Sequence, residues 1–175
     1  IWFFALNEKR KARIIEFFMP GTDNLNSGWQ ISRAQMAIGS GQLFGSGLYK
    51  GMLTQNDGVP VKESDFIFTV IGEELGFIGA MVVLVLVFCI LLRCIYIAKN
   101  SRDLFGSYMV IGITAMFGYQ FFQNIGMCVR LLPITGIPLP FVSAGGSAMV
   151  TNYIAIGIAL SVSVRKKKAI FNSNK

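Results

Sequence analysis

Three carboxylates, Asp65, Glu73 and Glu74, stand among phenylalanines and isoleucines in the stretch Ser64 to Gly79, immediately before the most apolar run of the chain. Charge beside a membrane segment is costly and marks a candidate for function; the plain alternative is three carboxylates solvated at headgroup level. Two of them working as an acid and base pair would need carboxyl groups ~5 to 9.5 Å apart. On one continuous helix Asp65 and Glu73 would sit ~12 Å apart. Glu74, nine residues beyond Asp65 at ~100° per residue, would fall on the opposite face. A dyad would therefore require the helix to break at Gly72. A single carboxylate suffices where the leaving group departs without a proton, as a pyrophosphate does, and such a group calls for a cation or oriented N–H donors rather than an acid. The spacing points to Asp65 as a lone base with electrostatic help from elsewhere.

A second stretch with chemical potential runs from Arg130 to Ser147. It is apolar, yet its three prolines and three glycines forbid a regular helix. Non-helical chain at membrane depth must be buried in protein or line a cavity, because lipid cannot satisfy its backbone. Ser143, Gly145, Gly146 and Ser147 lead into a helix with Ser147 as candidate N-cap, and the N–H groups at such a helix start suit a phosphate. A purely structural re-entrant turn is the other reading. Arg130, near the outer end of its span, either snorkels to headgroups or binds a buried anion.

These segments must be positioned by membrane helices. Of the 175 residues 53% are hydrophobic and only 14% charged, a composition of an all-α polytopic membrane protein. The net charge of +7 sits in short clusters flanking apolar runs: Lys9 to Arg13, then Arg93, Lys99 and Arg102, then Arg165 to Lys168. Such clusters behave as cytoplasmic anchors and do not form a nucleic-acid stripe. With no histidine at all, the usual base of Ser and Cys hydrolases and the ligand pair of zinc proteases are excluded. Cys89, Cys94 and Cys128 lie in apolar runs without metal spacing and read as buried thiols. No metal-ligand cluster is evident. A divalent cation, Mg or Mn, would be plausible only at a bound pyrophosphate, with Glu73 or Glu74 either contributing to it or making structural hydrogen bonds.

A span needs ~20 mostly apolar residues. The chain divides into the end of a preceding span (1–6), a cytoplasmic loop (7–27), a crossing (28–49), an extracytoplasmic loop bearing Asp65 (50–76), and a span (77–97). A cytoplasmic loop (98–107), a span (108–132) interrupted by Gln120, Gln123 and Asn124, a re-entrant loop (133–148), a span (149–164) and a cytoplasmic tail (165–175) follow. The polar crossing 28–49 is required by topology if the basic clusters on both sides of it are cytoplasmic, and it must face protein or water. The residues after Asp65 fit an amphipathic helix at the interface. The opening Ile1 to Leu6 lacks the charged n-region and cleavage site of a signal peptide, so it reads as the tail of an earlier span in a larger protein.

The motifs Ala37-Ile38-Gly39-Ser40-Gly41, Phe44-Gly45-Ser46-Gly47, Asp65-Phe66-Ile67-Phe68, Glu73-Glu74-Leu75-Gly76, Asn124-Ile125-Gly126-Met127 and Leu132 to Phe141, with Ser143, Gly145, Gly146 and Ser147, resemble the C-terminal part of the SEDS family of cell-wall proteins, which comprises RodA, FtsW and SpoVE. The Asn-Ile-Gly-Met and Gly-Ile-Pro-Leu-Pro-Phe wording is closer to RodA. The resemblance implies the last four spans of a ten-span fold in the bacterial cytoplasmic membrane. It implies polymerisation of lipid II onto a growing lipid-linked glycan at the extracytoplasmic face, alongside a class B penicillin-binding protein. It places the family's essential acidic residue on Asp65, as base for the acceptor 4-hydroxyl in an inverting transfer that releases undecaprenyl pyrophosphate. The chain departs from the family at Gln42, commonly Gly, at Arg130, often Gly or Gln, and at Arg33, Glu63 and Ala144. The family's basic residues from earlier loops are missing, so this piece alone is expected to be inactive. Two other functions use the same features. One is a lipid II flippase, since broken helices and embedded charge also build transport sites; the other is a non-catalytic scaffold packing a transpeptidase against the Gly112/Gly118 face.

Overall fold

A computed structural model describes residues 27–55 and 64–165. The preceding span end at 1–6, most of the loop 7–27, residues 56–63 with Glu63, and the basic residues beyond Arg165 lie outside the described residues. Among the described residues six helices follow one another: α1 (Ser27–Ser40), α2 (Met52–Gln55), α3 (Ile67–Glu74), α4 (Gly76–Lys99), α5 (Leu104–Cys128) and α6 (Gly146–Val164). Among the described residues there is no strand.

Among the described residues three helices are long and apolar enough to cross a membrane: α4, α5 and α6. At 1.5 Å per residue they measure roughly 36, 37 and 28 Å, near the ~30 Å of a hydrocarbon core. They begin and end within a few residues of the apolar runs at 77–97, 108–132 and 149–164. Their outward faces carry Phe77, Met81, Val85, Phe88, Tyr119 and Tyr153, all well exposed, an arrangement that only lipid or another apolar helix would cover. The α4–α5 connection is short and fixed by polar groups. Asp103 caps α5 by accepting the Gly106 N–H at 2.9 Å, and Ser107 Oγ donates to the Ala98 carbonyl at 2.8 Å. α4 packs along α5, and α6 leans on both.

The crossing expected over 28–49 is not one helix. α1 stops at Ser40, whose hydroxyl turns back on the Ala37 carbonyl at 2.7 Å. At 14 residues it is ~21 Å long and too short to span alone. It buries Ile31, Ala34 and Ala37 against α3 and α5. Beyond it the chain coils over the α3–α4 junction. There Gly41 lies directly over the Gly72 carbonyl, where a β-carbon would collide with backbone.

That junction is a break in what would otherwise be one rod. Leu75 closes α3, and Gly76, at φ +67°, starts α4 in a new direction; glycine is the residue that tolerates this region. The first N–H groups of α4 have no partner within the helix, and the coil supplies them: Phe77 N–H donates to Gln42 O at 2.8 Å and Ile78 N–H to Leu43 O at 3.2 Å. α3 itself does not lie on the surface as an interfacial helix. Phe68, Thr69, Gly72, Glu73 and Glu74 are all buried, covered by α1, α4 and α5.

Between α5 and α6 the chain is irregular, as its prolines require. Ile134, Leu139, Pro140 and Ser143 are buried, and Phe141 packs between Phe117 and Tyr153 in tilted and edge-on contacts, with ring centroids 5.3 and 5.9 Å away. The loop is anchored in protein through these residues, while Leu131, Thr135, Gly136, Val142 and Ala144 between and beside them are exposed. α6 starts earlier than expected: its N-cap is Gly145, without a side-chain bond, so Ser147 lies inside the first turn. Gly145 is extended there, a geometry a Ser cap would share; no side-chain cap is formed at all.

Candidate active site

Asp65 lies in a turn (64–66) just before α3, and its carboxylate is half-buried. Four groups fix this turn. Ser64 Oγ donates to Asp65 Oδ1 at 2.7 Å. Asn124 Nδ2 donates to the main-chain carbonyl of Asp65 at 2.9 Å and to that of Ile137 at 2.8 Å. Ser143 Oγ donates to the carbonyl of Ser64 at 2.6 Å and accepts the Leu139 N–H at 2.7 Å. Gly136, at φ +72°, runs beneath the carboxylate; a β-carbon there would stand 3.3 Å from Asp65 Oδ2. The segment before α3 and the α5–α6 loop, remote in sequence, thus meet at Asp65.

Asn124 and Gln123 are the residues that spacing alone missed. Both are buried in the last turns of α5, and Gln123 Nε2 holds the Pro133 carbonyl at 3.0 Å. Non-helical backbone at membrane depth needs such donors. The available signal was two adjacent amides inside an apolar span, which marks a polar network rather than a weak helix.

Glu73 and Glu74 sit at the other end of α3. The Glu73 carboxylate, 1% exposed, accepts the Leu53 N–H on Oε1 and the Thr54 N–H on Oε2, both at 2.9 Å. Glu74 Oε2 accepts the Tyr49 N–H at 3.0 Å. Their own carbonyls are engaged as well, Glu73 O by Ser46 and Glu74 O by Gly47. The pair clasps the 46–54 segment, and Glu73 does not meet Asp65. Ser143 joins the Asp65 turn through both functions of its hydroxyl. Gly145, Gly146 and Ser147 form the start of α6, with Gly146 and Ser147 exposed.

Arg130 has a definite backbone role. α5 ends in a Schellman motif, with Leu131 N–H on Gly126 O at 2.7 Å and Arg130 N–H on Met127 O at 3.2 Å, and Arg130 occupies its left-handed position at φ +62°. Glycine is the usual residue there. Gln42 is likewise left-handed, at φ +47°. Among the described residues no hydrogen bond joins Asp65 to Arg130 or to the start of α6, and no group of three or more His, Cys, Asp or Glu could hold a metal. Glu73, with each oxygen bound to a backbone N–H, does not fit a cation site.

A lipid-facing helix bundle carrying a carboxylate turn at one end defines a multi-pass membrane protein with a polar site at that end. The chain belongs to the family of FtsW, RodA and SpoVE, whose model, described as a cell cycle protein, matches residues 1–168. It is 36% identical over 167 residues to the peptidoglycan glycosyltransferase MrdB of Escherichia coli K12, covering 95% of this chain and 45% of that protein. To the stage V sporulation protein E of Bacillus subtilis it is 43% identical over 155 residues, covering 88% and 42%. Treponema pallidum peptidoglycan glycosyltransferase RodA is 38% identical over 162 residues, with 93% and 37% covered. Among solved structures, a peptidoglycan synthase complex coordinating polymerization and crosslinking is similar with a TM-score of 0.73 and 27% identity over 93% of this chain and 44% of that one. An aspartate-to-alanine mutant of Thermus thermophilus RodA gives 0.60 and 30% over 77% and 40%. The chain thus spans less than half the length of these relatives.

Proposed function

We propose that the protein carrying this chain is a peptidoglycan glycosyltransferase of the bacterial cytoplasmic membrane that polymerises lipid II at the extracytoplasmic face. The observation behind this reading is the Asp65 carboxylate, half-buried and held at the junction of the two outer loops. The acceptor's 4-hydroxyl loses its proton to Asp65 as its oxygen attacks the anomeric carbon of the lipid-linked donor. The bond from that carbon to the pyrophosphate breaks, and undecaprenyl pyrophosphate leaves with the electron pair, inverting the centre. Pyrophosphate needs no acid at departure, so one carboxylate is enough. The exposed start of α6 offers N–H donors to phosphate oxygens, and the rest of the electrostatic help comes from residues outside this chain.

The test is polymerisation of purified lipid II by the full-length protein with and without Asp65→Asn. Polymer loss of a hundredfold or more is the order expected for removing a general base; undiminished polymer sinks the assignment. A lipid II flippase would instead move substrate across vesicles without making polymer, and would tolerate Asp65→Asn.

The same proposal places a transpeptidase partner on the face formed by α4 and α5. An apolar groove of about 500 Å³ runs along α4 and α5, lined by Val85, Phe88, Gly118 and Phe122 among others. At Gly118 nothing lies within 4 Å of where a β-carbon would stand. A class B penicillin-binding protein would seat a membrane helix there. Gly118→Leu should then weaken co-purification of that partner while polymerisation by the isolated protein is retained.

A further inference from the structure

The two oxygens of the Asp65 carboxylate have different surroundings. Oδ1 accepts the Ser64 hydroxyl at 2.7 Å. Oδ2 lies beside Gly136, an exposed residue without a side chain. A serine hydroxyl has one proton to donate, and here that proton is directed at Oδ1. Ser64 is itself held in place, because its carbonyl is bound by the buried Ser143 hydroxyl at 2.6 Å, which in turn takes the Leu139 N–H. A carboxylate gripped on one oxygen cannot turn freely about its side-chain bonds, so the second oxygen is presented in one direction.

From this geometry we infer that Ser64 is a positioning residue for the glycosyl transfer: its hydroxyl fixes Asp65 Oδ1 and so dedicates Oδ2, over Gly136, to receiving the acceptor's proton. The inference rests on the reading of Asp65 as base. Ser64 does not touch the substrate; it acts through the orientation of its neighbour. Catalytic alignment is sensitive to such support, and a hydrogen bond to a charged group contributes on the order of 1.5–3 kcal/mol.

The experiment compares Ser64→Ala, Ser64→Val and Ser64→Thr in the full-length protein, with steady-state polymerisation of lipid II and thermal melting in the same detergent. Valine and threonine share a shape and differ in the hydroxyl, so any defect of shape falls on both. Ser64→Ala and Ser64→Val are expected to lower kcat roughly ten- to hundredfold with KM within about twofold, because ground-state binding is untouched. Ser64→Thr is expected to stay within about threefold of the parent in kcat. Valine and threonine variants of equal kcat, whether both active or both impaired, overturn the inference, as does a loss confined to KM. Full activity of Asp65→Asn in the same assay overturns instead the assignment of the base, so the two failures are told apart.

Discussion

Asn124, fully buried near the end of α5, bridges the main-chain carbonyls of Asp65 and Ile137 with one amide group. A single side chain thereby ties two loops that no stretch of local sequence connects. Asn124→Ala removes both bonds and leaves two carbonyls unsatisfied, which should cost about 2–4 kcal/mol. Thermal unfolding of the purified protein would register this, and polymerisation should fall together with it. Unchanged melting and activity would contradict the bridging role.

Ser143 acts on the same turn from the other side. Ser143→Ala leaves the Leu139 N–H without its acceptor and the Ser64 carbonyl without its donor, a loss of about 2–3 kcal/mol. Ser143→Cys, with a weaker and longer donor, should lie between. The order Ser, Cys, Ala in melting temperature is the check.

Glu73 is expected to matter for the fold of the 46–54 segment. Glu73→Gln keeps the shape but sets an amide NH₂ against a backbone N–H, so one of its two bonds is lost. Hydrogen exchange at the Leu53 and Thr54 amides should accelerate roughly tenfold or more, with exchange in α4 to α6 unchanged. Uniform acceleration across the helices would mean a global rather than a local role.

Arg130 offers a prediction of opposite sign. A left-handed position suits glycine, so Arg130→Gly should raise stability by about 0.5–1 kcal/mol. A lower melting temperature would show that the guanidinium makes a stabilising contact that outweighs the backbone strain.

How far these features could be read beforehand differs by type of interaction. α4, α5 and α6 were legible because each is long, apolar and bounded by charge or by Asp103, and bilayer thickness then sets the length. Within 28–49 the sequence does not show where the helix stops, because hydropathy and charge topology count residues and do not see that Gly41 lies over the Gly72 carbonyl just after α1 ends at Ser40. Asp65 stood out as a charge in an apolar setting. The way it is supported did not: Ser143 reads from sequence as part of a phosphate site and Asn124 as an interruption of a span, because both bind main-chain carbonyls, and a carbonyl leaves no trace in the identity of its residue. Ser147 was expected to cap α6 because serine is a good cap, yet the chain enters through Gly145.

The bond between Ser143 and Ser64 joins positions 79 residues apart, with α4 and α5 threaded through the membrane between them. Closing so large a loop is entropically slow, and nothing local can reward it in advance. The Asp65 turn therefore cannot be completed as it leaves the ribosome; it must wait until two further helices have been inserted and the proline-rich segment has folded back. Closure of the Asp65 turn is thus a late event in the folding of this region, and a product truncated before Ser143 would hold its carboxylate with the turn unfastened.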